Sequence, residues 1–79
     1  MSDLTYRQLD EALRELDFSV RQVDNDTNVY KHARSGAVLV LPARPAQRVI
    51  PHHLVATRAT LDAFGIPTPP ELAAQLQAS

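Results

Sequence analysis

From Val29 to Pro42 the chain reads Val-Tyr-Lys-His, then Ala-Arg-Ser-Gly, then Ala-Val-Leu-Val-Leu-Pro. This is the pattern of two short strands joined by a turn and closed by a proline. Ala33-Arg34-Ser35-Gly36 has a length typical of a hairpin loop, and Gly36 supplies the positive φ that such a turn needs. Ala37 to Leu41 is apolar at every position, so both faces of that strand are expected to be covered, and Pro42 ends it by removing a ladder donor. In a chain of 79 residues, a strand apolar on both sides points to self-association, with one face meeting a second copy or a partner chain. Ahead of the hairpin, Phe18-Ser19-Val20-Arg21 alternates apolar and polar as a half-buried strand does. The alternation slips at Gln22-Val23, where a bulge or the strand end is expected. Asp24-Asn25-Asp26-Thr27-Asn28 is turn chemistry, because Asp and Asn side chains bond their own backbone and tolerate left-handed conformations.

Helices flank these strands. Thr5 is placed to cap the first free amides, Gln8 to reach back to the Thr5 amide, and Leu4 to pack on Leu9. Leu9, Ala12, Leu13 and Leu16 then form one apolar stripe, while Arg7, Asp10, Glu11, Arg14 and Glu15 read as a solvated face with an Asp10–Arg14 pair. The first helix is predicted over about 5–16. Ala43 to Val49 is a proline-marked loop carrying Arg44 and Arg48. Pro51 suits the first turn of a second helix over about 51–64, with Ile50, Leu54, Thr57, Leu61 and Phe64 at helical spacing and Gly65-Ile66-Pro67 as its stop. Thr68-Pro69-Pro70-Glu71 reads as a capping box for a short third helix with Leu72 and Leu76 on one side.

The order is α-β-β-β-α: an α+β fold in which a three-stranded antiparallel sheet packs on two helices, with a short C-terminal helix added. This is the arrangement of the double-stranded-RNA-binding-domain (dsRBD) fold. Residues 1–66 are expected to form the domain and residues 67–79 a helical tail; so short a chain has interior for one core only.

Composition narrows the chemistry. There is no cysteine, which excludes disulfides, thiolate metal sites and a cysteine nucleophile. No apolar run approaches the roughly 18 residues of a membrane span, and the N-terminus lacks a signal-peptide pattern, so a cytoplasmic protein is expected. Charge is uneven along the chain. Residues 1–26 hold three bases against seven acids, whereas residues 27–61 hold five bases (Lys31, Arg34, Arg44, Arg48, Arg58), no acid and all three histidines. Such a cationic segment suggests an anionic partner.

Several of these pieces occur in a known order and spacing: a helix ending Leu16-Asp17-Phe18, then Tyr30-Lys31-His32, then Ser35-Gly36-Ala37-Val38-Leu39-Val40-Leu41-Pro42, then a loop and a helix ending Ala63-Phe64-Gly65-Ile66. In these the chain resembles the HicA-like (YcfA-type) family, small ribonuclease toxins of bacterial toxin–antitoxin pairs. The resemblance implies the dsRBD-like fold, mRNA-cleaving endoribonuclease activity and silencing by a HicB antitoxin partner. It also implies a catalytic histidine three positions before the strand aromatic. Here that position is Thr27, preceded by Asn25 and Asp26, so the family's active site is degenerate in this chain. A threonine hydroxyl does not exchange a proton near pH 7 as an imidazole does.

The expectation is therefore an RNA-binding domain without that histidine-dependent cleavage, with Lys31, Arg34, Arg44, Arg48, His52 and Arg58 contacting phosphate. His52 and His53, in the first turn of the second helix, are the remaining candidates for catalysis. Adjacent helical residues point about 100° apart, so the pair does not make a metal site, and no metal or cofactor is expected. The alternative is a protein-interaction module: the same fold kept for homodimerisation or for holding an antitoxin-like chain through the third strand. Neither a membrane nor DNA is an expected partner.

Overall fold

The structure, a computed structural model, describes residues 4–78, with side chains from 4 to 75. The first helix, α1 (Tyr6–Glu15), begins as its sequence requires. The Thr5 hydroxyl accepts the Gln8 amide at 3.3 Å and the Gln8 side chain accepts the Thr5 amide at 2.9 Å, closing the reciprocal cap. Leu9 and Leu13 are fully buried on one stripe. The helix leaves through Asp17, whose φ of 72° is left-handed without a glycine.

Three strands follow, β1 (Phe18–Asp24), β2 (Thr27–His32) and β3 (Val38–Pro42). They form an antiparallel meander in the order β1-β2-β3. Phe18 pairs with His32 and Gln22 with Asn28; the register then shifts so that Asp24 faces Thr27, leaving Val23 as the extra residue of a bulge. The turn is tighter than the polar run suggests. Only Asn25 and Asp26 lie outside the strands, with the Asp26 amide donating to the Asp24 carboxylate at 3.2 Å. Thr27 and Asn28 continue the ladder, and β-branched Thr27 suits an extended backbone.

In the second turn Gly36 has a φ of 84°, and its amide donates to the His32 carbonyl at 2.7 Å. The His32 amide donates to Ala37 and the Ala43 amide to Asp26. Along β3 the residues between them alternate, so the amide positions of Val38, Val40 and Pro42 face away from β2, onto the free edge. Pro42 is thus the last residue of the strand, placed where a missing donor breaks no ladder bond. The side chains of Leu39 and Leu41 are buried, whereas Val38 and Val40 are 49% and 58% exposed. The expectation that both faces of this strand are covered is corrected for the single chain: the helices cover the inner face only.

The second helix, α2 (Pro51–Ala63), has proline in its first turn and buries Leu54, Thr57 and Leu61. Ile50 and Phe64, the two ends of the expected stripe, lie outside the helix and are exposed. At its end the Gly65 amide bonds Asp62 and the Ile66 amide bonds Leu61, a complete Schellman stop on a left-handed glycine. The third helix, α3 (Pro70–Ala78), starts directly after Pro69, so the N-cap place falls to Pro69 and not to Thr68. Leu72 is fully buried in the same core as Leu9, Tyr30 and Leu61, while Leu76 lies outside the described side chains.

The whole is an α+β fold in the order α-β-β-β-α-α, an open antiparallel sheet with helices against one face, as in the double-stranded-RNA-binding-domain arrangement. No helix among the described residues is long and apolar enough to cross a membrane.

Candidate functional site

Four segments converge at the end of the sheet where β3 finishes: the start of α1, the opening of β2, the loop of residues 43–50 and the first turn of α2. Backbone bonds fix the loop. The Tyr6 amide donates to Gln47 at 3.0 Å, the Arg7 amide to Pro45 at 3.1 Å and the Val49 amide to Leu4 at 2.9 Å. Thr5 and Arg48 form an isolated bridge beside them. Within the loop the Gln47 amide donates to the Arg44 carbonyl at 3.0 Å.

An open groove of about 470 Å³ lies here, with Thr27, Pro42, Arg44, Ile50 and His53 on its walls and Tyr6 below. Tyr6 Oη and His53 Nδ1 are 2.6 Å apart, a hydrogen bond whose donor depends on the imidazole tautomer. The Ile50 amide also donates to Tyr6 Oη, at 3.4 Å. The imidazole is therefore oriented by a phenol that is itself held by the backbone. Among the described residues, Asp26 is the one acidic residue on these walls.

A second hollow, about 320 Å³, adjoins the first and shares Tyr6, Pro42 and Arg44 with it. It lies between α1 and the inner face of the sheet, where Arg7, Asp10, Arg14, Gln22, Asn28 and Tyr30 meet. The Tyr30 hydroxyl donates to Asp10 Oδ1 at 2.7 Å, and Arg14 Nε donates to Asp10 Oδ2 at 2.8 Å. Burial first, and then the bond to the Asp10 carboxylate, push the Tyr30 phenol well above its ordinary range. Across both hollows, three arginines and a histidine face two aspartates, one of which already holds an arginine.

Of the residues expected to act, the structure gathers Thr27, Arg44 and His53 at this groove. His52 is exposed next to His53, their ring centroids 6.3 Å apart. The others are spread out. Lys31 is exposed, on the outer side of the sheet, opposite Val38. Arg34 sits in the turn at the far end of β2 from Thr27, roughly 20 Å of strand away. Arg48 faces a separate hollow with Pro51, Leu54 and Gln75. Arg58, farther along α2, is 3.5 Å from Asp62 in an exposed ion pair.

His32 is buried, packed against Phe18 with ring centroids 5.0 Å apart. Its Nδ1 bonds the Ser35 hydroxyl at 2.7 Å and accepts the Ser35 amide at 3.2 Å, which makes it a brace for the turn.

Sequence reasoning missed Tyr6, Arg7, Arg14 and Asn28. Arg7, Asp10 and Arg14 read as a solvated helix face, yet their three- and four-residue spacing puts them on one side. Tyr30 was the available signal, since an inward strand tyrosine needs a buried partner for its hydroxyl. Among the described residues no group of three or more histidine, cysteine or acidic side chains is placed to hold a metal ion.

No protein-family model, curated protein or solved structure matches the chain.

Proposed function

We propose that the chain is a HicA-like RNA-binding domain of toxin–antitoxin type that lacks the family's histidine-dependent ribonuclease step. The observation that carries this reading is Arg44, which belongs to two adjoining hollows and links the Thr27–His53 groove to Arg7 and Arg14. Guanidinium groups spaced along a groove suit a phosphodiester chain, because each presents a planar fork to phosphate oxygens. An anisotropy titration with single- and double-stranded RNA at low salt tests it. Binding that weakens with added salt is expected, with Arg44→Ala lowering affinity about tenfold; no RNA affinity at low salt overturns the proposal.

The position that would carry the family's proton transfer is Thr27. Labelled RNA incubated with the protein is therefore expected to stay intact. Cleavage abolished by His53→Ala would instead make the chain an endoribonuclease with its histidine moved to α2. A cytoplasmic setting and an antitoxin-like partner chain go with this reading.

A second reading, a dimerisation or protein-interaction module, is favoured by β3, where two exposed valines flank a free strand edge. Light scattering on the purified chain separates the two: a monomer with no co-purifying protein removes the second reading.

A further inference from the structure

We propose that the hollow between α1 and the sheet is a phosphate-binding site in its own right, holding one phosphate group between the Arg7 and Arg44 guanidinium groups and the side-chain amides of Gln22 and Asn28.

The argument starts from what is already satisfied. Asp10 has one oxygen bonded by Tyr30 and the other by Arg14, so its charge is matched by the guanidinium beside it. Tyr30 keeps its proton. Asp10, Arg14 and Tyr30 thus form a floor that offers an incoming anion little repulsion.

What remains on the walls is donors. Neither Arg7 nor Arg44 is ion-paired to another described residue. Gln22 and Asn28 are partners across β1 and β2, so both side chains emerge at the same end of the inner face. Each primary amide carries two N–H groups. Gln22 uses one toward the Asn25 carbonyl at 3.3 Å and keeps its second N–H, and Asn28 brings two more to the same wall.

Two guanidinium groups and two side-chain amides lining one hollow, whose described carboxylate Asp10 already holds Arg14, match an oxyanion with several acceptor oxygens. A volume of about 320 Å³ accommodates a phosphate with an attached sugar. The anion is either a terminal phosphate monoester or an internal phosphodiester. The site stands on these donors and does not require the RNA reading; if RNA does run along the groove, this is where the neighbouring phosphate sits.

The test is a proton–nitrogen NMR titration of the full chain with inorganic phosphate, a nucleoside 5′-monophosphate, and a dinucleotide whose only phosphate is internal. Saturable shifts are expected at the Gln22 and Asn28 side-chain amides and at the Arg7 and Arg44 Nε–H signals. Arg7→Gln and Arg44→Gln should each weaken binding at least fivefold. Arg21→Gln, exposed on the outer face of β1 opposite Val29 and not on the walls of the hollow, should leave it unchanged. Monophosphate binding tighter than the dinucleotide assigns a terminal phosphate; the reverse assigns a phosphodiester.

Absence of saturable shifts with all three ligands overturns the proposal, as do shifts equally reduced by Arg21→Gln. Saturable phosphate binding in a protein with no RNA affinity would overturn the RNA reading and leave this site standing.

Discussion

The Thr57 hydroxyl is buried on α2 with no hydrogen-bond partner among the described residues. An unsatisfied buried hydroxyl destabilises, and valine has nearly the same shape without it, so Thr57→Val should raise stability by about 1 kcal/mol in urea denaturation. Asp17 and Gly36 make a matched pair of opposite sign. Both have a left-handed φ, 72° and 84°, a conformation that costs a residue with a Cβ about 1 kcal/mol. Asp17→Gly should therefore stabilise and Gly36→Ala destabilise by about that amount, even though a methyl at 36 meets nothing within 4 Å. Calorimetric melting of the two variants checks the signs.

Tyr30 adds a dependence on pH. Its phenol is held protonated in the folded chain by burial and by Asp10, whereas in the unfolded chain it ionises near about pH 10. Below that pH the contribution is fully present, and above it the unfolded state loses a proton that the folded state keeps. Stability should fall as pH rises beyond about 10. Tyr30→Phe should lack this part of the alkaline loss while being less stable at neutral pH, which denaturation at a series of pH values will show.

At the scale of elements, Leu72 gives the sharpest expectation. It is fully buried in a core shared with α1 and α2. Leu72→Ala should cost roughly 2–5 kcal/mol, the range for a large core side chain. A small loss, measured by urea denaturation, would mean that α3 is a dispensable appendage. The elements were also the most legible part of the sequence, because helix caps, strand alternation and turn residues are local signals. Thr5 with Gln8, the slip at Val23 and the Gly65-Ile66 stop each act within a few residues, and each is found where its pattern places it.

Two features were not legible for the same reason. The exposed side of β3 depends on how many helices reach the sheet, and Ala37 to Leu41 alone reads the same whether its outer face is covered or bare. The candidate site depends on which polar side chains meet after packing. Thr27, Arg44 and His53 come from three separate segments, and no spacing rule connects them. Arg7 and Arg14 are exposed as their helix face predicts, but Asp10 between them is drawn inward by Tyr30, which no spacing rule announces.

For the whole molecule, the uneven charge along the sequence becomes a difference between regions. Glu11 and Glu15 of α1 are exposed in a hollow shared with Glu71, whereas Arg7 and Arg44 line the groove side. The net charge of −1 gives no general attraction to a polyanion, so any RNA affinity must come from the groove. If Arg7 and Arg44 together meet one phosphate, the logarithm of the binding constant should fall with the logarithm of salt at a slope of about −0.7 for single strands. A slope much steeper would mean that Lys31, Arg34 or Arg58 also take part.

The loop that carries Arg44 is tied to the start of α1 by backbone bonds from Tyr6, Arg7 and Val49. First-turn amides of a helix normally exchange freely with solvent, yet those of Tyr6 and Arg7 should be slow. A ligand arriving at this end of the molecule would meet a wall already immobilised, so little of its binding free energy would go into ordering the chain.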